Sequence, residues 1–160
     1  MKNKLSKIFA IILAVISATA IWKCYLNKRN DITSVGVDRF EIGYHIFNNW
    51  LKIKNQGKSL KAYFEDNELK SVAIYGMGGL GERLFEDLKT LDINVVYAID
   101  RMAGVKHIEG LHIIGIEDEL KDVDAIIVTP VQDFYSIERI LEEKTDSEII
   151  SLEDIINYCS

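Results

Sequence analysis

The chain has 160 residues, 48% apolar and 28% charged, with one Pro and ten Gly. That suits one domain with an appendage and excludes collagen-like, low-complexity and wholly disordered chains. The net charge is -6, yet residues 1–30 carry six Lys or Arg and no acid, which leaves an acidic body with no basic face for nucleic acid.

The basic end brackets an apolar stretch, Ile8 to Trp22, fifteen residues without a charge. As a helix it reaches about 22 Å, and about 28 Å if extended to Leu26, against roughly 30 Å for a hydrocarbon core. Lys23 lies near the end, where its ammonium reaches the headgroups, and Trp22 and Tyr25 suit the interface. Residues 8–26 are therefore expected to span a cell membrane once, in contact with lipid, within an anchor of residues 1–30. A cleaved signal peptide is the competing reading, with Lys2, Lys4 and Lys7 as its basic start and Ala18-Thr19-Ala20 as its cleavage site; a buried soluble helix is the third. Lys23, Lys28 and Arg29 follow the apolar run at once and oppose export of what comes next. Basic residues stand on both sides, so charge gives no orientation. The two cysteines, Cys24 and Cys159, lie too far apart for a disulfide framework or a zinc-type pair, and no lipobox precedes Cys24.

Asn30 to Ser34 is a polar break. From Val37 to Lys54, Phe40, Tyr44, Phe47 and Leu51 recur at spacings of four, three and four. Val37, Ile46, Trp50 and Ile53 widen the stripe, which predicts an amphipathic helix with the aromatic side as its packing face. Gly57 ends it, Ser59 caps a short helix from Leu60 to Asp66, and Asn67 closes that helix in the left-handed conformation. Residues 31–69 make a helical neck or an oligomer contact.

From Ser71 short apolar runs alternate with helical stretches. Strands are predicted at Ser71–Tyr75, Val95–Ile99, His112–Ile114, Asp124–Thr129 and Glu148–Ser151. Helices are predicted at Gly79–Leu91, Ile116–Leu120, Asp133–Lys144 and Leu152–Tyr158. The alternation predicts an α/β fold over residues 70–160, a parallel sheet of about five strands in the order 3-2-1-4-5 with right-handed crossovers. The runs are continuous rather than alternating because parallel strands are covered on both faces.

Gly76-Met77-Gly78-Gly79-Leu80-Gly81 matches G-x-G-x-x-G, directly after a predicted strand and at the opening of a predicted helix. Gly76 permits the tight turn, Gly78 lets a diphosphate approach the backbone, and Gly81 lets the helix pack close to the strand. The free N–H groups and the positive helix end bind the anion. Asp100 ends the second strand, nineteen residues beyond Gly81, where a carboxylate accepts hydrogen bonds from a ribose diol. Such an Asp disfavours NADP, whose extra phosphate it would repel. Arg101 is a candidate for the base or a further phosphate. Thr129 and Gln132, beside Pro130, are candidates to line the crevice opposite the glycine turn. His45, His107 and His112 lack companions at metal-ligand spacing. Glu86, Asp87, Glu117, Asp118 and Glu119 are read as solvated helix faces.

Between Ser71 and Arg101 the residues SVAIYGMGGLGERLFEDLKTLDINVVYAIDR resemble small Rossmann-like domains of sugar-nucleotide-handling proteins. The amino-terminal domains of sugar-nucleotide acetyltransferases and the membrane-bound polysaccharide-biosynthesis dehydratases are similar. Gly76, Gly78, Gly79, Gly81 and Asp100 match their pattern, and the segment from Gly110 to Gly115 is similar to the third-strand segment of the acetyltransferase domain. The resemblance covers about residues 70–155. It implies a Rossmann-like fold and a ligand that is either NAD or a nucleoside-diphosphate sugar. In those families catalysis lies in a further β-helix or a second Rossmann unit, so a module without catalysis is expected. The expected function is a membrane-tethered, cytoplasmic nucleotide-binding module, accessory to cell-envelope polysaccharide biosynthesis, with a glycosyltransferase assembly or a homo-oligomer as partner. The alternatives are a small NAD-dependent oxidoreductase or epimerase acting as an oligomer, and a purely structural protein.

Overall fold

A computed structural model describes residues 19–23 and 39–160. The chain divides into two compact units, Met1–Glu41 and Ile42–Ser160. In the first, the described residues 19–23 and 39–41 are helical and exposed. Among the described residues no helix is long and apolar enough to cross a membrane. The span expected over residues 8–26 lies outside the described residues, apart from 19–23.

Helix α1 covers residues 39–55, and α2 is Lys61–Asp66. Strand β1, Ser71–Tyr75, leads to α3, Gly79–Thr90, and β2, Asn94–Ile99. After β3, Ile113–Ile114, and β4, Ala125–Val128, a 3-10 turn at Val131–Asp133 opens α4, Phe134–Glu142. Strand β5, Glu148–Ser151, and α5, Leu152–Cys159, complete the fold. The five strands form one sheet in the order β3-β2-β1-β4-β5, and every pairing is parallel. This is the predicted order.

The order follows from handedness. The connection from β1 through α3 to β2 steps one way along the sheet, and that from β4 through α4 to β5 steps the other. Right-handed crossovers therefore place α3 and α4 on opposite faces. Successive side chains of β1 divide accordingly, since a strand alternates its faces. Val72 and Ile74 pack with Leu84, Leu88, Ile155 and Ile156, while Ala73 and Tyr75 pack with Ile137 and Leu141.

The first core also takes in Ile46, Trp50, Ile53, Leu60 and Phe64. Residues from Ile42 onward, expected as a neck, thus belong to the same unit as the sheet. Phe40, Tyr44, Phe47 and Leu51 are 76, 58, 48 and 47% exposed, whereas Ile46, Trp50 and Ile53 are at most 3% exposed. Of the predicted stripe, Ile46, Trp50 and Ile53 are the packing face, and the part made by Phe40, Tyr44, Phe47 and Leu51, about 125° away at 100° per residue, is corrected to an outward face. Both stripes are apolar, and a polar contact separates them. Trp50 Nε1 donates to Asp87 Oδ2 at 3.0 Å, and Lys54 Nζ donates to Asp87 Oδ1 at 2.5 Å. Asp87 is buried, so it is not the solvated helix residue expected from sequence. Burying the large indole requires an acceptor for its N–H, and α3 supplies one.

Two smaller expectations also change. No helix forms at 116–120. The N–H of Gly115 donates to Asp118 Oδ2 at 2.6 Å, and the buried Tyr97 hydroxyl donates to Lys121 O at 2.9 Å. An Asp that takes a nearby backbone N–H competes with helix, and the segment instead lays Ile116, Leu120 and Val123 along the second core. At the end of α2 the left-handed residue is Glu68, with φ 57°, rather than Asn67, with φ -100°. The Asn67 side chain donates to Tyr63 O at 2.8 Å, so it closes the helix by its amide group.

Candidate functional site

The glycine turn lies at the carboxyl end of β1, the central strand, between the ends of β2 and β4. That is the switch point of such a sheet, where chain connections diverge and leave a crevice. Gly76 continues the sheet pairing through its N–H to Ile99 O at 2.8 Å and then turns with φ +89°. A Cβ there would lie 2.7 Å from Pro130 Cδ. The Met77 side chain points the other way, fully buried in the first core, and anchors the turn. Gly78 is the N-cap of α3, with extended backbone and no side-chain cap. A Cβ on Gly81 would sit 2.1 Å from Gly76 O, so α3 starts against the turn because Gly81 has none. By contrast, a Cβ on Gly78 or Gly79 would meet nothing within 4 Å. Both residues are exposed, while Leu80 is half-buried and packs on the core.

Four glycines thus serve two purposes. The chain's own packing explains Gly76 and Gly81. It does not explain Gly78 and Gly79, which front open space beside the first turn of a twelve-residue helix. The first N–H groups of any helix lack a carbonyl one turn back, and the helix dipole makes that end positive.

Asp100 is brought to this turn. Its Oδ2 accepts the Met77 N–H at 2.7 Å and its Oδ1 accepts the Met102 N–H at 2.8 Å. A carboxylate has about four lone-pair positions, so each oxygen retains one for a further donor. Arg101, next in the chain, is exposed in the turn that follows β2. Thr129 also reaches the turn, but inside it. The residue is 4% exposed, and its hydroxyl donates to Gly76 O at 2.6 Å, with Tyr75 O at 3.2 Å. It ties β4 to the turn and does not line a crevice. Gln132 is exposed, with its amide 3.5 Å from Asp133 Oδ2.

Sequence reasoning did not single out Lys106 or Glu82. The Lys106 ammonium donates to Met77 O and pairs with Glu82 Oε1 at 2.7 Å. The hydrogen bond and charge of Lys106 hold the Glu82 carboxyl below the usual range. Glu82, an acid in the first turn of α3, was legible as a complement to the helix dipole. Lys106 stands in a polar loop with no periodicity, and nothing in the sequence connects it with Glu82. Comparison of the chain with protein-family models, curated proteins and solved structures gives no match.

Proposed function

We propose that this protein binds a nucleotide through its diphosphate, either NAD(H) or a nucleoside-diphosphate sugar. One observation carries the proposal: Gly78 and Gly79 face open space at an uncapped helix start, with Asp100 directed at the same turn. The amides of that first turn take the diphosphate, and the free lone pairs of Asp100 take a ribose diol. Arg101, exposed in the turn after β2, is the candidate for the base. The resemblance to sugar-nucleotide-handling domains and the basic, apolar amino-terminal segment support a module tethered to the cytoplasmic face of a membrane, in the service of envelope-glycan assembly.

The test is a thermal-shift panel on the full-length chain with NAD, NADH, NADP and several UDP-sugars. A ligand at a hundred times its dissociation constant adds about 2.7 kcal/mol of stability. NAD or a UDP-sugar is expected to raise the melting temperature, and NADP to raise it less. A chain that melts cooperatively but responds to none of them overturns the proposal.

A further inference from the structure

One loop holds both polar groups of the Met77 peptide units. Asp100 accepts the Met77 N–H, and Lys106, six residues on, donates to the Met77 carbonyl. The two side chains carry opposite charges, and the second partner of Lys106 is Glu82 in the first turn of α3. An ammonium has three N–H donors. Met77 O and Glu82 use two of them. The start of α3, where Gly78 and Gly79 leave open space, thus carries one cation and one anion already bonded to each other.

A diphosphate bound at that helix start is repelled by Glu82 and attracted by Lys106. The Glu82 side chain is 38% exposed, so it can turn away into water at little cost, whereas Lys106, at 26%, is held by the Met77 carbonyl. We propose that Lys106 is the side-chain cation of this site, that it exchanges its bond to Glu82 for a diphosphate oxygen when the ligand binds, and that Glu82 lowers the affinity by competing for it. This inference rests on the diphosphate reading above. The ligand class is set by charge: Lys106 discriminates for the diphosphate shared by NADH and UDP-sugars and is indifferent to the group beyond it.

The experiment titrates full-length wild type, Lys106→Met and Glu82→Gln with NADH and with UDP-glucose. Whichever probe binds wild type is expected to bind Lys106→Met about ten- to a hundredfold more weakly, the effect of one charge-assisted hydrogen bond. Glu82→Gln is expected to bind about three- to fivefold more tightly, as a competing exposed ion pair is removed. Equal affinity of wild type and Lys106→Met overturns the inference and leaves the diphosphate reading standing. Weaker binding by Glu82→Gln also overturns it, because Glu82 then positions Lys106 rather than competing. If Lys106→Met loses its folded circular-dichroism signal, the Glu82→Gln affinity decides alone. Wild type that binds neither probe nor any other ligand of the thermal-shift panel removes the diphosphate reading and this inference together.

Discussion

Gly78 and Gly81 stand three residues apart at the start of one helix, yet replacing them has different expected effects. A methyl on Gly81 would lie 2.1 Å from a backbone carbonyl, so β1 and α3 would have to separate. Gly81→Ala is expected to cost about 2 kcal/mol or more, as overpacking does. A side chain on Gly78 meets open space. Gly78→Val is expected to cost about 1 kcal/mol, because Val is a poorer N-cap than Gly, and to abolish the ligand-induced thermal shift. Denaturant unfolding with and without ligand measures both. A Gly78→Val protein that keeps the full shift counts against the site, whatever its stability. The sequence motif treats all four glycines alike. Only the contacts around each separate a glycine demanded by packing from one that leaves room.

At the scale of elements, the entrances of β1 and β4 are joined by one carboxylate. Asp124 Oδ2 accepts the N–H of Ser71 at 2.7 Å and that of Lys70 at 2.8 Å. The Ser71 bond first, and the Lys70 bond second, hold its carboxyl below the usual range. A depressed acid stabilises the fold above its unfolded value, near 3.9, and the stabilisation is lost as pH falls through the folded value. Asp124→Asn is expected to lose about 1 kcal/mol or less at pH 7, since the group is solvent-exposed. The gap from wild type is expected to close below about pH 4. Urea unfolding at pH 7 and pH 3 tests this, and a difference that stays constant between them rules the account out. The element α1 shows where periodicity fails. It carries two apolar faces, and the Trp50–Asp87 contact settles which one is buried. The outcome is that Tyr44, Phe47 and Leu51 face outward.

For the whole molecule, the sheet unit is acidic, whereas the start of the chain is basic and apolar. A stretch of nineteen residues from Ile8 to Leu26 with Lys23 as its one charge is more apolar than a surface helix needs. The full-length chain is expected to pellet with membranes and to resist extraction at alkaline pH. Ile16→Asp, next to the middle of the stretch, is expected to shift it toward the supernatant, at about 2.5–3.5 kcal/mol for a central charge. A wild-type chain found in the supernatant, or one that starts at Ile21 after cleavage, removes the tether.

The strand order, the glycine turn and the Asp at the end of β2 were readable from the residues, because each depends on local pattern: continuous apolar runs, backbone freedom and a fixed chain distance. Strand existence was legible for the same reason, down to β3, Ile113–Ile114. The helix expected at 116–120 was not, since the Gly115–Asp118 hydrogen bond and the Tyr97 hydroxyl compete with the local pattern there. Contacts across long chain distances stayed hidden. The Trp50–Asp87 bond joins residues 37 apart, Thr129 reaches Gly76 over 53, and Lys106 reaches Met77 over 29. Such pairs leave no periodic trace, because each partner is chosen by where the sheet carries it. What the sequence determined by itself was the order of layers and the shape of one turn. Which face of α1 is buried, which glycines leave space, and which charges meet at the turn were decided only when the chain closed on itself.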